Sequence, residues 1–228
     1  MTRYKIGIID DDEFEVDSIE RSIIVNLPKD IIEENVDFLV YSLDDNDRDL
    51  VDTLAQQVID DAANEKVSAL LIDYKLVVNQ QNIEGSEIFG KINKRIPKFP
   101  IIMLTNVAEG CYQKDCIDAD KVYDKRGFFK IEEQYSKEKI THLFLNIKKY
   151  KQMRSKLSVN LKQEMEKMVQ NNYNSNSLQK VMDVETQLND YIPSEENNVE
   201  KALKISELKE IVSLIEKAKG LLGDKDED

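Results

Sequence analysis

Asp10 and Asp11 follow directly on a short apolar run, YKIGII, and Asp73 closes another, VSALLI. Thr105 ends a third, FPIIML, and Lys125 follows a fourth, KVYD. Each is a charged or hydroxyl group at the end of an apolar, β-rich segment. In an open parallel sheet, ligands bind outside the carboxyl ends of the strands. If these segments are neighbouring strands, the five groups converge on one small hollow. Two carboxylates about 4 Å apart repel by roughly 4 kcal/mol at an effective dielectric of 20, and one of them would hold its proton. A divalent cation removes that penalty. All-oxygen donors, in a chain whose single histidine is His142, favour Mg²⁺ over zinc. Lys125 adds a second positive charge suited to phosphate.

The elements that must position these groups are legible as alternating patterns. Residues 4–9, 36–41, 67–72, 99–104 and 121–124 predict strands. Residues 13–27, 48–63, 84–95 and 109–117 predict helices, the first stopping at Pro28 and the third before Pro97. The acids at 44–49 offer N-caps for the second helix. Strand–helix alternation predicts an α/β fold with a parallel sheet and helices on both faces. From about 133 the texture changes. Ile140, Leu143, Ile147, Tyr150, Met153, Leu157, Leu161, Met165 and Met168 recur at helical steps without a Pro or Gly break, predicting one long helix. The polar stretch at 171–177 reads as a turn, 178–190 and 198–222 as two further helices, and GDKDED as a solvated tail. The expected division is 1–132 for the α/β domain and 133–228 for an all-α extension.

Composition excludes several classes of function. The chain has 228 residues and a formal net charge of −13, which argues against binding nucleic acid or anionic membranes. Residues 137–162 are locally basic, but without interleaved aromatics they read as a solvated helix face. Cys111 and Cys116 form neither a disulfide framework nor a zinc quartet and read as free thiols. No apolar run suits a membrane span and no signal peptide is visible, so a cytoplasmic location is expected. Asp45, Asp47 and Asp49 superficially suggest a calcium loop, but Leu50 stands where glycine is needed and Gln56 where the bidentate glutamate belongs. Asp12 and Glu13 read as acids at a helix N-terminus, His142 as a packed or half-exposed ring. The Met and Leu stripe at 140–168 reads as a packing face, within the chain or across a dimer.

The segments IIDDDE, LLIDYKL, IIMLT and VYDK, in this order, resemble the receiver domain of two-component signalling, over about residues 1–130. The resemblance implies a five-stranded, parallel, doubly wound (flavodoxin-like) sheet and a response regulator rather than an enzyme. Asp73 is then the phosphoacceptor. Asp10, Asp11, Asp73 and the backbone carbonyl of Lys75 hold Mg²⁺, Thr105 binds the new phosphoryl group, and Lys125 bridges carboxylate and phosphate. The implied reaction is in-line attack by Asp73 on a phosphohistidine of a sensor kinase or phosphotransfer protein. The sequence departs from the family pattern at several positions. The segment between Asp73 and Gly85 is longer than usual and is expected to add a flap beside the site. Arg126 stands where proline follows the lysine, Val122 where an aromatic is common, and Asn106 where a smaller residue is common. The extension lacks a basic recognition helix and a Gly-rich catalytic motif, so its expected output is protein binding or homodimerisation. The alternatives are a phosphate reservoir without output and a Mg²⁺-dependent phosphatase or phosphotransferase. Tyr74 and Lys75 count against the latter, which typically carries an Asp-x-Asp pair.

Overall fold

The computed structural model describes residues 3–44, 47–107, 117–170 and 175–193. The chain divides into two compact units, Met1–Gln152 and Met153–Asp228. The first contains β1 (Tyr4–Ile9), α1 (Glu13–Val25), β2 (Val36–Val40), α2 (Leu50–Ala63) and β3 (Ala69–Asp73). A hairpin of β4 (Lys75–Val78) and β5 (Gln81–Glu84) follows, then α3 (Gly85–Arg95), β6 (Ile101–Thr105) and β7 (Val122–Asp124). A short helix α4 (Lys125–Phe128) leads to the 37-residue α5 (Gln134–Gln170). The main sheet has five strands in the order β2-β1-β3-β6-β7, every neighbouring pair parallel. This is the expected doubly wound, flavodoxin-like architecture.

Alternation along the strands assigns the two faces. Tyr4, Ile6 and Ile8 of β1 share one core with Leu71, Ile102, Leu104 and Tyr123, and with Val16, Ile19 and Ile23 of α1. Leu70, Ile72, Ile101 and Met103 alternate with these and are also buried. On that side α3 contacts β3 and β6 and packs on α2. Strands buried on both faces explain why the segments read as continuous apolar runs rather than as alternating ones. Asp12 caps α1, its carboxylate accepting from the Phe14 amide at 2.8 Å. The start of α2 differs from the expectation. Asp49 occupies the N-cap without a side-chain bond there, and its own amide donates to Asp47 at 2.8 Å.

The expected division at 132/133 falls inside the first unit, which runs on to Gln152. The physical reason is the N-terminal half of α5. Ile140, Leu143, Phe144 and Ile147 join the α1-side core. Phe144 meets Tyr4 edge-on at 5.1 Å, and Tyr150 meets Phe99 edge-on at 5.6 Å. The uninterrupted apolar stripe thus divides: its first members complete the α/β core, whereas Met153 and Met165 are 38% and 47% exposed. In the second unit, Leu157 of α5 is buried, as are Ser177, Val181 and Val184 of α6 (Ser175–Asn189). The helices expected at 109–117 and 198–222, the GDKDED tail, Cys111 and Cys116 lie outside the described residues. His142 is exposed on α5. Among the described residues no helix is long and apolar enough to cross a membrane, and no peptide bond is cis.

Two stability measurements check this packing. Burying an aliphatic or aromatic side chain contributes about 1.5–3 kcal/mol. A chain ending at Gln152 is therefore expected to unfold cooperatively in urea, and one ending at 132 to show no cooperative transition. Gly85 abuts the end of β3, and a Cβ there would lie 2.1 Å from the Asp73 carbonyl oxygen and 2.8 Å from Ile72 Cγ2. Backbone cannot yield as a flexible side chain can, so Gly85→Ala is expected to cost about 3 kcal/mol by equilibrium denaturation.

Candidate functional site

The acidic corner follows from strand adjacency. β1 lies beside β3 in parallel, with Ile9 opposite Ile72, so the residues after Ile9 emerge next to Asp73. One carboxylate oxygen from each of Asp10, Asp11 and Asp73 lies within 4.8 Å of the others. β7 is two places from β3 in the sheet. The residue after β7 must therefore span β6, about 10 Å in strand spacing, and a long flexible side chain suits the task. Lys125 Nζ lies 2.9 Å from Asp10 Oδ2 and 3.0 Å from Asp73 Oδ1. Its side chain is 2% exposed.

Lys125 has a third partner, Glu15, that the sequence reading did not single out. The signal was ambiguous. Asp12 and Glu15 have the spacing of a capping box, in which the glutamate turns back to the N-cap amide. Here the Asp12 amide donates instead to Asp10 Oδ1 at 3.0 Å. The carboxylate of Glu15, in the first turn of α1, is left for the lysine.

Burial and pairing set the charges. Burial pushes the Asp10 carboxyl up to about 6, the hydrogen bond from Lys125 opposing it. Burial also raises Asp73, against the attraction of Lys125 and a hydrogen bond from the Lys75 amide. For Lys125 burial alone would favour the neutral amine, but hydrogen bonds to Glu15 and Asp10 overcome it and raise the ammonium above its usual range. The corner is thus over-supplied with negative charge: three carboxylates pair with Lys125, and Asp11 lies beside Asp10 and Asp73.

The remaining expected residues have the following places. Thr105 ends β6, is buried, and its Oγ1 accepts from the Val107 amide at 2.9 Å. Lys75 begins β4, and its amide rather than its side chain faces Asp73. The segment expected as a flap is the β4–β5 hairpin, whose Val77 amide donates to Asp11 Oδ2 at 3.1 Å. Arg126 lies in α4, a helix that starts at Lys125 and is capped by Asp124, whose Oδ2 accepts from the Gly127 amide at 2.6 Å. Beside Val122, Tyr123 is buried and stacks on Phe128 at 6.3 Å. The Asp124 amide donates to the Tyr135 hydroxyl at 2.7 Å, tying the approach to Lys125 to the first turn of α5. Outside the corner a cleft of about 660 Å³ is lined by Asp10, Asp11, Glu13, Asp17, Glu20 and Tyr41, among others.

A five-strand parallel sheet in this order carries paired acids after β1, an acid at the end of β3 and a buried lysine after β7. The fold is the doubly wound, flavodoxin-like one that the resemblance to a receiver domain implies. No protein-family model matches the sequence, and no curated protein matches it. Among solved structures, the chain is similar to the RcsB response regulator of Salmonella typhimurium, described in terms of conformational dynamism for DNA interaction. The identity is 15%, over 94% of this chain and 100% of that one, with a TM-score of 0.40. The reading of the first unit rests on its own topology and side chains.

The raised Asp10 carboxyl has a measurable consequence. The folded protein keeps a proton that the unfolded chain loses near pH 4. Its contribution to stability is therefore full below about pH 4 and is lost as pH rises toward 6. Asp10→Asn removes this dependence. The variant is expected to gain on the order of 2 kcal/mol relative to the unsubstituted protein between pH 4 and 7, read from urea unfolding at each pH.

Proposed function

We propose that the chain is a response regulator. Asp73 accepts a phosphoryl group from a phosphohistidine of a partner kinase or phosphotransfer protein, and the phosphorylated form signals by binding protein. The observation that carries this reading is the buried Lys125 ammonium held between Asp10 and Asp73, with Asp11 beside them. The clustered carboxylates of Asp10, Asp11 and Asp73 outnumber the one ammonium, and their donor atoms are all oxygen. Such a set fits a hard divalent cation such as Mg²⁺. Asp10, Asp11 and Asp73 are the side chains that would hold it, with the Lys75 carbonyl. When bound, the cation neutralises charge on the carboxylates and on the incoming phosphoryl oxygens.

The chain's own residues do the rest by positioning and electrostatics. A carboxylate oxygen of Asp73 attacks phosphorus, an O–P bond forms and the P–N bond to the imidazole breaks. The imidazole leaves with the bonding pair and takes up a proton. Lys125, held by Glu15 and Asp10, stays charged throughout and faces the new phosphoryl oxygens. Phosphorylation puts up to about two negative charges at Asp73, which draws on the Thr105 hydroxyl. Turning that hydroxyl to the phosphoryl group gives up its bond from the Val107 amide and moves the 105–107 backbone. A small rearrangement of this kind shifts the preference for partners between two states separated by a few kcal/mol.

Incubation with Mg²⁺ and acetyl phosphate, followed by intact mass, tests the reading. One labile phosphoryl adduct is expected on the unsubstituted protein, none on Asp73→Asn, and at least tenfold slower labelling of Lys125→Ala. Equal labelling of Asp73→Asn, or no adduct at all, would overturn it.

A further inference from the structure

The hairpin between Asp73 and α3 has its own hydrogen-bonding logic. Its turn residues Asn79 and Gln80 have φ of 51° and 63°, the positive pair that a two-residue type I′ turn demands. In such a hairpin the residues flanking the turn, here Val78 and Gln81, form a hydrogen-bonded pair, and bonded pairs then alternate along the ladder. Leu76 and Ile83 are bonded to each other. Val77 opposite Asn82, and Lys75 opposite Glu84, are not. The amides and carbonyls of Lys75 and Val77 therefore point away from β5, along one free edge.

Both amides on that edge are engaged by the acidic corner. The Lys75 amide donates to the Asp73 carboxylate, and the Val77 amide donates to Asp11 Oδ2 at 3.1 Å. The Lys75 carbonyl lies between them on the same edge. Side chains hold the hairpin in place: Tyr74, Leu76 and Val78 are buried, and the Gly85 amide closes its base on the Tyr74 carbonyl at 2.9 Å. Asp11 differs from Asp10 and Asp73. It is exposed, and Lys125 is paired with Asp10, Asp73 and Glu15 instead.

We propose that the β4–β5 hairpin is a structural part of the cation site, its Val77 amide holding one oxygen of Asp11 so that the other is kept for a divalent cation shared with Asp10 and Asp73. Val77 is thus a positioning residue that acts through its backbone. The inference rests on the cation-binding reading above. An exposed carboxylate on a loop rotates freely, and fixing it before the cation arrives removes an ordering cost from binding. Partners that orient metal ligands are typically worth 10–100-fold in affinity.

The position allows a selective test, because Val77 donates nothing to the hairpin ladder. Proline is tolerated at such edge positions. Val77→Pro removes the amide hydrogen, and Val77→Ala keeps it. With Mn²⁺ as the probe, read by electron paramagnetic resonance and calorimetry on the full chain, Val77→Pro is expected to bind about tenfold more weakly. Val77→Ala is expected to bind as the unsubstituted protein does. Equal Mn²⁺ affinity in Val77→Pro would overturn the role of the hairpin while leaving the cation site standing. Absence of Mn²⁺ binding by the unsubstituted protein would overturn both. Should Val77→Pro fail to fold, the Val77 amide of the unsubstituted protein decides by nuclear magnetic resonance. Slow hydrogen exchange, with a shift on Mg²⁺ addition at the binding midpoint, supports the proposal. Exchange at the rate of an open peptide defeats it.

Discussion

The burial of one ammonium among several carboxylates is the constraint on which the first unit turns. An isolated charge taken from water costs several kcal/mol, and a paired one recovers that only with good geometry. Lys125 meets the condition through three partners on two strand ends and one helix: Asp10, Asp73 and Glu15. Each element is thereby bound to a particular depth and register. β1 and β3 must end level, as the pairing of Ile9 with Ile72 ensures. α1 must be capped at Asp12 for Glu15 to reach back. The same group that holds the acidic corner together also dictates how the sheet and first helix meet.

Much of this was legible in the residues themselves. Asp10, Asp73, Thr105 and Lys125 each terminate an apolar run, and the parallel order of those runs brings the three charged groups together at one rim. Glu15 was not legible because its spacing from Asp12 has a commoner explanation in helix capping, and only the diversion of the Asp12 amide to Asp10 frees it. The hairpin was hidden for a different reason. Tight hairpins usually announce themselves with glycine in the turn, whereas Asn79 and Gln80 accept left-handed backbone without one. The extent of the first unit was obscured by continuity. Helical periodicity through 140–168 carries no mark where core packing stops, and Tyr150 and Met153 look alike in one dimension while one is buried and the other exposed.

The parallel sheet topology explains where the chain tolerates departures from the pattern it resembles. Arg126 in place of proline lets a short helix begin at Lys125 itself, and the Asp124 cap fixes its first turn. The extra residues after Asp73 pair with each other and leave the main sheet undisturbed. Both changes lie at the carboxyl rim, where backbone is not committed to the parallel ladder. Gly85 marks the limit of that freedom, since its close approach to the Asp73 carbonyl admits no side chain.

The bond from the Asp124 amide to the Tyr135 hydroxyl shortens the mechanical path through the first unit. One peptide separates that amide from Lys125. Tyr135 also packs so closely on Gly127 that a Cβ there would sit 2.8 Å from its ring. A displacement of the Lys125 backbone would therefore reach the opening turn of α5 through this bond as well as through the chain between the two helices. A phenol at this point does for the unit what a drawstring does for a pouch: tension at the mouth is felt at once along the seam.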